Sequence, residues 1–330
     1  MSTNRIKSIL NKAIADDHPE KFNILTFNTH ERYQTNQCLT GHNFYAFNWP
    51  KGKEWFSEHA PMPENYYQLP STAIVPGVAF DMILAHSKFG QLQKAYEINQ
   101  FLQVPIICVE HTLPLPNWTE AQMGQMQNFY ADINVFITEY SQDQWNINAP
   151  SEVIYHTVDT NLFSPDKSVE RKGVLTVAHD FIERDYALNY KGWERITQGL
   201  DRKVVGATDG LSEAAKNVEE LVQTYQQALV YINPSVLSPV PTSMLEAMAC
   251  GCPVVSMDNC AIPEFIEHGV NGYLSNDETE LRLWIKHLFE KPDLAAEMGE
   301  AARKTVINKC STKRFVAQWD NIFNQAYERI

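Results

Sequence analysis

Short apolar runs of strand length alternate with helix-length stretches along most of the chain, in two successive sets. Parallel strands cannot be joined by a tight turn and need a crossover segment between them, so this alternation is the signature of parallel sheets with intervening helices. The first set predicts strands at 22–27, 43–47, 82–85, 105–109 and 135–138, with a crossover helix over 88–102. The chain then passes through 146–151, a short run at 153–156 and a turn-rich 158–167. A second set follows, with strands at 174–177, 203–206, 230–233, 253–256 and 272–274, and helices at 192–199, 212–228, 243–249 and 262–267. The economical reading is an α/β chain of two Rossmann-like, doubly wound domains, 1–164 and 165–330, facing a cleft. Phe315, Trp319, Ile322, Phe323 and Ala326 form one apolar stripe on a terminal helix, suited to either domain and so able to cross back to the first. Segment 48–70, with four prolines, reads as an irregular insertion.

Composition removes several function classes. No stretch approaches the roughly 18 apolar residues that span a bilayer, and 1–20 is polar, so no integral span or signal peptide is expected. The helix candidate 4–15 carries only Arg5, Lys7 and Lys12, which is thin support for peripheral membrane contact. Six scattered cysteines without paired CxxC spacing read as reduced core thiols of a cytoplasmic protein. With 27 Lys and Arg against 40 Asp and Glu, the net charge of −13 disfavours polyanions unless a local patch, for which Arg32, Lys51, Lys53 and Lys88 are the candidates, offsets it. No HExxH, P-loop or GxSxG pattern occurs, nor an acidic metal-binding triplet, so no metal is expected.

Segment 231–276 is the most informative. A strand ends at Asn233, a Pro- and Ser-rich loop follows, and a helix starts near Thr242 with Thr242 or Ser243 as its N-cap. Unpaired N–H groups at that start, with the two hydroxyls, suit a phosphate or diphosphate. Glu246, one turn further in, is better placed to accept hydrogen bonds from ribose or sugar hydroxyls, or simply to complement the helix dipole.

LEAMACGCPVV (245–255) followed by IPEFIEHGVNGYL (262–274) resembles the glycosyl transferases group 1, retaining nucleotide-sugar-dependent enzymes of the GT-B fold. TGHNFYAF, FDMILAHS, VPIICVEHTLP and VIYHTVDTNLFSPD follow in the family's order, so the resemblance covers most of the chain, thinning over 48–70 and before residue 20. It implies a glycosyl transfer from a nucleotide-diphosphate sugar, a UDP-sugar foremost, to an acceptor hydroxyl on a glycan, lipid or small molecule, with retention and without a cofactor.

Carried over by position, Glu246 matches the glutamate that binds the donor ribose, and Thr242, Ser243, Met244 and Leu245 complete the donor-binding helix start. Ser238 stands where the family has a second glutamate, and Pro239, Val240 and Pro241 replace a Gly-containing loop, which puts the donor sugar in doubt. Arg184 and Lys191 match the cation pair that neutralises the leaving diphosphate. His111 matches the histidine beside the reacting sugar carbon. Thr29, His30, Glu31 and Arg32 occupy the place of an acceptor-side loop over 28–34, and 259–264 matches the segment that closes the nucleotide pocket. Two other readings remain: a viral-type DNA glycosyltransferase acting on hydroxymethylated bases, and a noncatalytic nucleotide-sugar-binding subunit, suggested by Ser238.

Overall fold

The structure, a computed structural model, describes residues 20–49, 60–70 and 77–329, with isolated residues 6, 7, 10, 52, 54, 55 and 57. Most of the helix candidate 4–15 lies outside these, as do Lys51 and Lys53. Two compact units carry the fold, Met1–Ile137 with Gln142–Tyr155 and Thr312–Ile330, and Thr138–Ser141 with His156–Ser311. The chain thus changes unit at 155/156, ahead of the expected 164/165, and the terminal helix belongs to the first unit.

The first unit holds strands β1 (Asn23–Thr26), β2 (Asn43–Ala46), β3 (Tyr66–Gln68), β4 (Met82–Ala85), β5 (Ile106–Glu110), β6 (Ile133–Phe136) and β7 (Ser151–Val153). They form one sheet in the order β3-β2-β1-β4-β5-β6-β7, and every pairing is parallel. β4, β5 and β6 are buried at every residue, which explains their largely apolar sequences; the two polar exceptions, Glu110 and Asn134, are satisfied by hydrogen bonds. One face packs Leu25, Ile83 and Ile106 against Ala95, Ile98 and Leu102 of the helix Gln93–Leu102. The expected crossover helix 88–102 begins irregularly, since Gly90 at φ 77 breaks the turn Lys88–Leu92.

Two expectations are corrected here. The insertion 48–70 contains β3, which pairs with β2 from Phe44↔Tyr66 to Ala46↔Gln68. The loop expected over 28–34 ends at His30, and Glu31–Cys38 is a helix. His30 caps it, its Nδ1 accepting from Tyr33 N at 3.4 Å.

The helix Thr312–Tyr327 lays its apolar stripe on this unit. Phe315 and Trp319 meet Tyr33 edge-on, Phe323 meets Phe44 and His42, and Tyr327 meets Phe22. Two polar ties fix its register: Trp319 Nε1 donates to Tyr33 Oη at 3.2 Å, and His42 Nε2 meets Asp320 Oδ1 at 3.1 Å.

The second unit has β8 (Lys172–Val177), β9 (Arg202–Val205), β10 (Ala228–Asn233), β11 (Val254–Ser256) and β12 (Gly272–Leu274) in the all-parallel order β12-β11-β10-β8-β9. Val174, Val230, Ile232 and Val255 pack there with Trp193 and Ile196 on one helix and Leu281, Ile285 and Leu288 on another. The six cysteines carry no disulfide, and all but Cys260 are buried. Among the described residues no helix is long and apolar enough to cross a membrane.

Candidate functional site

Open parallel sheets bind ligands beyond the carboxyl ends of their strands, where the strand order reverses. In the first unit that reversal lies between β1 and β4. The chain leaving β1 carries Thr29 and His30, and the chain leaving β4 carries His86. Gln91 Nε2 bridges the two by donating to Thr29 Oγ1 at 2.7 Å. Gln34 closes the turn from inside: its Oε1 accepts from Thr29 N and His30 N, at 2.9 and 3.2 Å, and its Nε2 donates to Phe27 O and Tyr66 Oη. Two amides of the expected acceptor-side loop are therefore already spent on holding the turn. Glu31 is buried in the first helical turn, Arg32 half-buried and His30 exposed.

His111 follows β5, half-buried. Its ring lies parallel to that of His86, centroids 5.5 Å apart, with His86 Nδ1 3.2 Å from His111 Nε2. Tyr33 meets the His111 ring edge-on at 4.5 Å, and His30 stacks at 6.3 Å. Burial, with the charge of His30 adding to it, pushes the His86 imidazole down to about 3, so it is neutral at any ordinary pH. Sequence reasoning missed His86, although it ends a strand just as His111 does.

Glu110, the residue before His111, is engaged by Lys88 and Thr112. Its carboxylate accepts from Lys88 N at 2.8 Å, Thr112 N at 2.9 Å and Thr112 Oγ1 at 2.7 Å. Burial raises its carboxyl above the usual range, and these bonds oppose the shift. Lys88 is 2% exposed, its ammonium donating to the carbonyls of Met126 and Phe129 at 2.8 and 2.5 Å. This removes Lys88 from the candidates for a local basic patch, because a lysine sequestered by backbone carbonyls offers no charge to a polyanion.

In the second unit the order reverses between β8 and β10. His179, beyond β8, accepts from Ala207 N at 3.1 Å and so ties that loop to the one after β9. Arg184, at the start of the short helix Asp185–Leu188, is exposed. Lys191 is held at both ends by Asp185: its amide donates to Oδ1 at 2.9 Å and its ammonium sits 3.5 Å from Oδ2, the side chain 73% exposed. Gly192 follows because the helix Tyr190–Thr197 is capped by the Asn189 side chain, which occupies the space a Cβ would need.

After β10 the chain crosses Ser238, half-buried, to the helix Thr242–Ala249. Its N-cap is Pro241, not Thr242 or Ser243, because the carbonyl of Pro241 accepts from Met244 N at 3.1 Å and Leu245 N at 3.4 Å. Met244 and Leu245 are fully buried, so their contribution is to the core, and the amides with no backbone acceptor among the described residues are those of Thr242 and Ser243. Ser243 Oγ lies 2.8 Å from Tyr231 Oη. Glu246 is 4% exposed, and its Oε2 accepts from the phenol of Tyr225 at 2.8 Å. Tyr225 lies in the last turn of the helix Val218–Gln227, and nothing in its sequence position announced this contact. The helix stops at Gly251, whose φ of 76 lets the chain turn into β11, while Arg171 takes the carbonyl of Cys250 at 2.5 Å. Among the described residues no three metal-ligating side chains gather.

Residues 214–305 match the family model described as glycosyl transferases group 1. Alpha-maltose-1-phosphate synthase of Mycolicibacterium smegmatis is 32% identical over 287 residues, covering 68% of this chain and 72% of that protein. An uncharacterized glycosyltransferase of Haemophilus influenzae is 24% identical over 57% of this chain, and the match spans 60% of that relative's length. Among solved structures, sucrose-phosphate synthase from Thermosynechococcus elongatus superposes with a TM-score of 0.71 at 14% identity, covering 94% of this chain and all of that one. HepE of Anabaena in complex with UDP and glucose gives a TM-score of 0.70 at 16% identity, with the same coverage. These structures share the GT-B fold of two Rossmann-like domains found here. With the motif 245–274 inside the matched region and nearly a third of residues identical along most of the Mycolicibacterium enzyme, the chain belongs to the glycosyl transferases group 1.

Proposed function

We propose that this chain transfers a glycosyl group from a nucleotide-diphosphate sugar, with uridine as the nucleoside, to an acceptor hydroxyl, retaining the anomeric configuration and using no metal. The observation that carries the reading is the pairing, beyond β10, of a helix start with two uncommitted amides, Thr242 and Ser243, and a buried, tyrosine-held carboxylate one turn further in, Glu246. In this reading the amides take a diphosphate oxygen and Glu246 accepts from the ribose hydroxyls. Arg184 and Lys191 neutralise the charge that grows on the leaving diphosphate, and His111 serves the transferred sugar. The acceptor oxygen bonds to the anomeric carbon as the bond to the diphosphate breaks, and its proton passes to a donor phosphate oxygen. The UDP and glucose held by the Anabaena protein support the uridine assignment. A glycan, lipid-linked saccharide or small molecule is the acceptor class; the burial of Lys88 weakens the case for DNA.

A thermal-shift panel of UDP, GDP, ADP, TDP and CMP with their sugar conjugates, with and without divalent metal, tests the reading. A ligand at about 100 times its Kd stabilises the folded state by roughly 2.7 kcal/mol. A selective shift with UDP or a UDP-sugar that needs no metal is expected, followed by sugar release to an acceptor. Ser238 favours a second reading, a noncatalytic nucleotide-sugar-binding subunit. It predicts the same shift with no turnover on any acceptor, and a Ser238→Glu substitution that restores it. A panel without any shift overturns both.

A further inference from the structure

We propose that Phe89 and Trp118 form an acceptor subsite of the first unit, on which a pyranose ring of a saccharide acceptor stacks by its apolar C–H face. The proposal rests on the reading of this chain as a sugar transferase and narrows the acceptor class within it. The two residues lie in the segments that follow β4 and β5, at the carboxyl edge of the sheet. After β4, Lys88 and Gln91 are buried, whereas Phe89 between them is 42% exposed. The kink responsible is local: Gly90 takes a φ of 77, which favours glycine, and Phe89 N donates to Ser87 Oγ at 2.9 Å. After β5, Trp118 is half-buried at the end of a turn that its amide closes on Leu115 O at 3.1 Å, and Leu115 is exposed.

The two rings rest on a fixed base. Trp145 is fully buried, its Nε1 donates to Thr112 O at 2.8 Å, and the sequestered ammonium of Lys88 lies 5.2 Å from its ring centroid. Phe89 and Trp118 meet each other at 5.7 Å and meet Trp145 at 5.9 and 5.8 Å, centroid to centroid. Rings held this way lose little side-chain freedom when a ligand arrives. Thr112 directly follows His111, so the base of the platform adjoins the histidine cluster. Size and charge then select the occupant. Two partly open rings and a leucine cover about one sugar ring, far short of the roughly 800 Å² per partner that a stable protein interface buries. Residues 111–127 contain no lysine or arginine, and Lys88 is buried, so these two segments lack the cations with which an anionic membrane or a single-stranded nucleic acid is held. A neutral ring with an apolar face and hydroxyl edges matches the platform, and the exposed Asn117 and Thr119 on either side of Trp118 in sequence are polar partners suited to those edges.

The test uses the full chain labelled with fluorotryptophan, in which the fluorine signal of Trp118 is identified among the seven tryptophans by its loss in Trp118→Phe. Titration with the methyl glycosides of glucose, galactose, mannose and N-acetylglucosamine, and with maltose and cellobiose, should move that signal saturably for at least one sugar. Phe89→Ala should weaken binding of the same sugar by roughly three- to tenfold, what loss of one stacking ring costs, without changing the thermal shift given by UDP. In turnover, Trp118→Ala should raise the acceptor KM by a similar factor and leave the donor KM alone, and Trp118→Tyr, which keeps a ring, should recover most of the loss. A Trp118 signal that no saccharide moves, or that only vesicles of phosphatidylglycerol and phosphatidylethanolamine move, overturns the proposal, as does equal sugar affinity in a folded Phe89→Ala variant. Because binding is read without donor, a saccharide that moves Trp118 in a chain showing no nucleotide shift would uphold the subsite and overturn the transferase reading.

Discussion

The phenol of Tyr225 donates to Glu246 Oε2 at 2.8 Å, and both side chains lie inside the second domain. A carboxylate this deep keeps one oxygen's direction fixed before any ligand arrives. Glu246→Ala should therefore do two things: weaken UDP binding, and lower stability by about 1–3 kcal/mol because Tyr225 loses its acceptor. Tyr225→Phe, which keeps the ring and removes the donor, should lower nucleotide affinity less than Glu246→Ala does. Calorimetric titration with UDP, paired with urea unfolding, checks this. Equal UDP affinity in all three proteins would remove Glu246 from the nucleotide site.

Lys191 is solvated and its contact with Asp185 is long, 3.5 Å. Exposed pairs of this kind contribute little to folding. Lys191→Ala should change the unfolding midpoint hardly at all while reducing turnover by about two to three orders of magnitude, roughly what loss of one charge-stabilising contact costs. Asp185→Asn keeps a hydrogen-bond acceptor for the Lys191 amide while removing the competing charge, so it should tighten binding of the diphosphate. Kinetics on the two variants, set beside their melting curves, separate the effects.

Two buried groups give stability opposite pH slopes in the same range. Burial pushes the Asp81 carboxyl from 3.8 up to about 6, against the bond it accepts from Asn23 N. Its folded pKa exceeds its unfolded one, so its contribution is fully present below 3.8 and is lost as pH rises through 6, by about 3 kcal/mol at roughly 1.4 kcal/mol per unit. His86, lowered from 6.5 to about 3, has the reverse sign: the unfolded chain takes up a proton that the folded chain refuses, so stability falls as pH drops from 6.5 toward 3. Asp81→Asn should raise stability above pH 6 and steepen its rise between pH 4 and 6, whereas His86→Asn should flatten or invert it. Urea denaturation across that range shows which slope each residue carries.

Trp319 is fully buried and holds Tyr33 by hydrogen bond and edge contact. Trp319→Ala should destabilise the first domain by about 3–5 kcal/mol, as large aromatic truncations do. Trp319→Phe, which keeps most of the packing, should cost about 1–2 kcal/mol, chiefly for the hydrogen bond lost to Tyr33 Oη. Unfolding followed by tryptophan-independent circular dichroism measures both.

Strands that run through a two-sided core were legible because burial on both faces writes itself as a mostly apolar run. Residues 82–85 and 272–274 were located to the residue. β3 was not, because this three-residue edge strand buries only Tyr66 and leaves Tyr67 and Gln68 to solvent. Among the candidate site residues, Glu246 and His111 stand out in the sequence by their places after a loop and a strand. Their partners do not, since Tyr225 precedes Glu246 by 21 positions and His86 precedes His111 by 25. Lys88 misled for a related reason: its acceptors lie 38 and 41 positions away, and only the fold brings backbone carbonyls to a lysine that composition assigns to the surface.

The first domain is assembled from both flanks of the second, with Phe315, Trp319 and Phe323 lining it from a helix that ends at Tyr327. On the ribosome, then, the sheet β1–β7 emerges with Tyr33 and His42 uncovered and must wait while residues 156–311 are synthesised. At 5–20 residues per second that interval lasts roughly ten to thirty seconds, long enough for the second domain to finish folding first. The order of completion is inverted relative to the order of synthesis, and the surface left open in the meantime is the aromatic bed that later supports the histidine cluster.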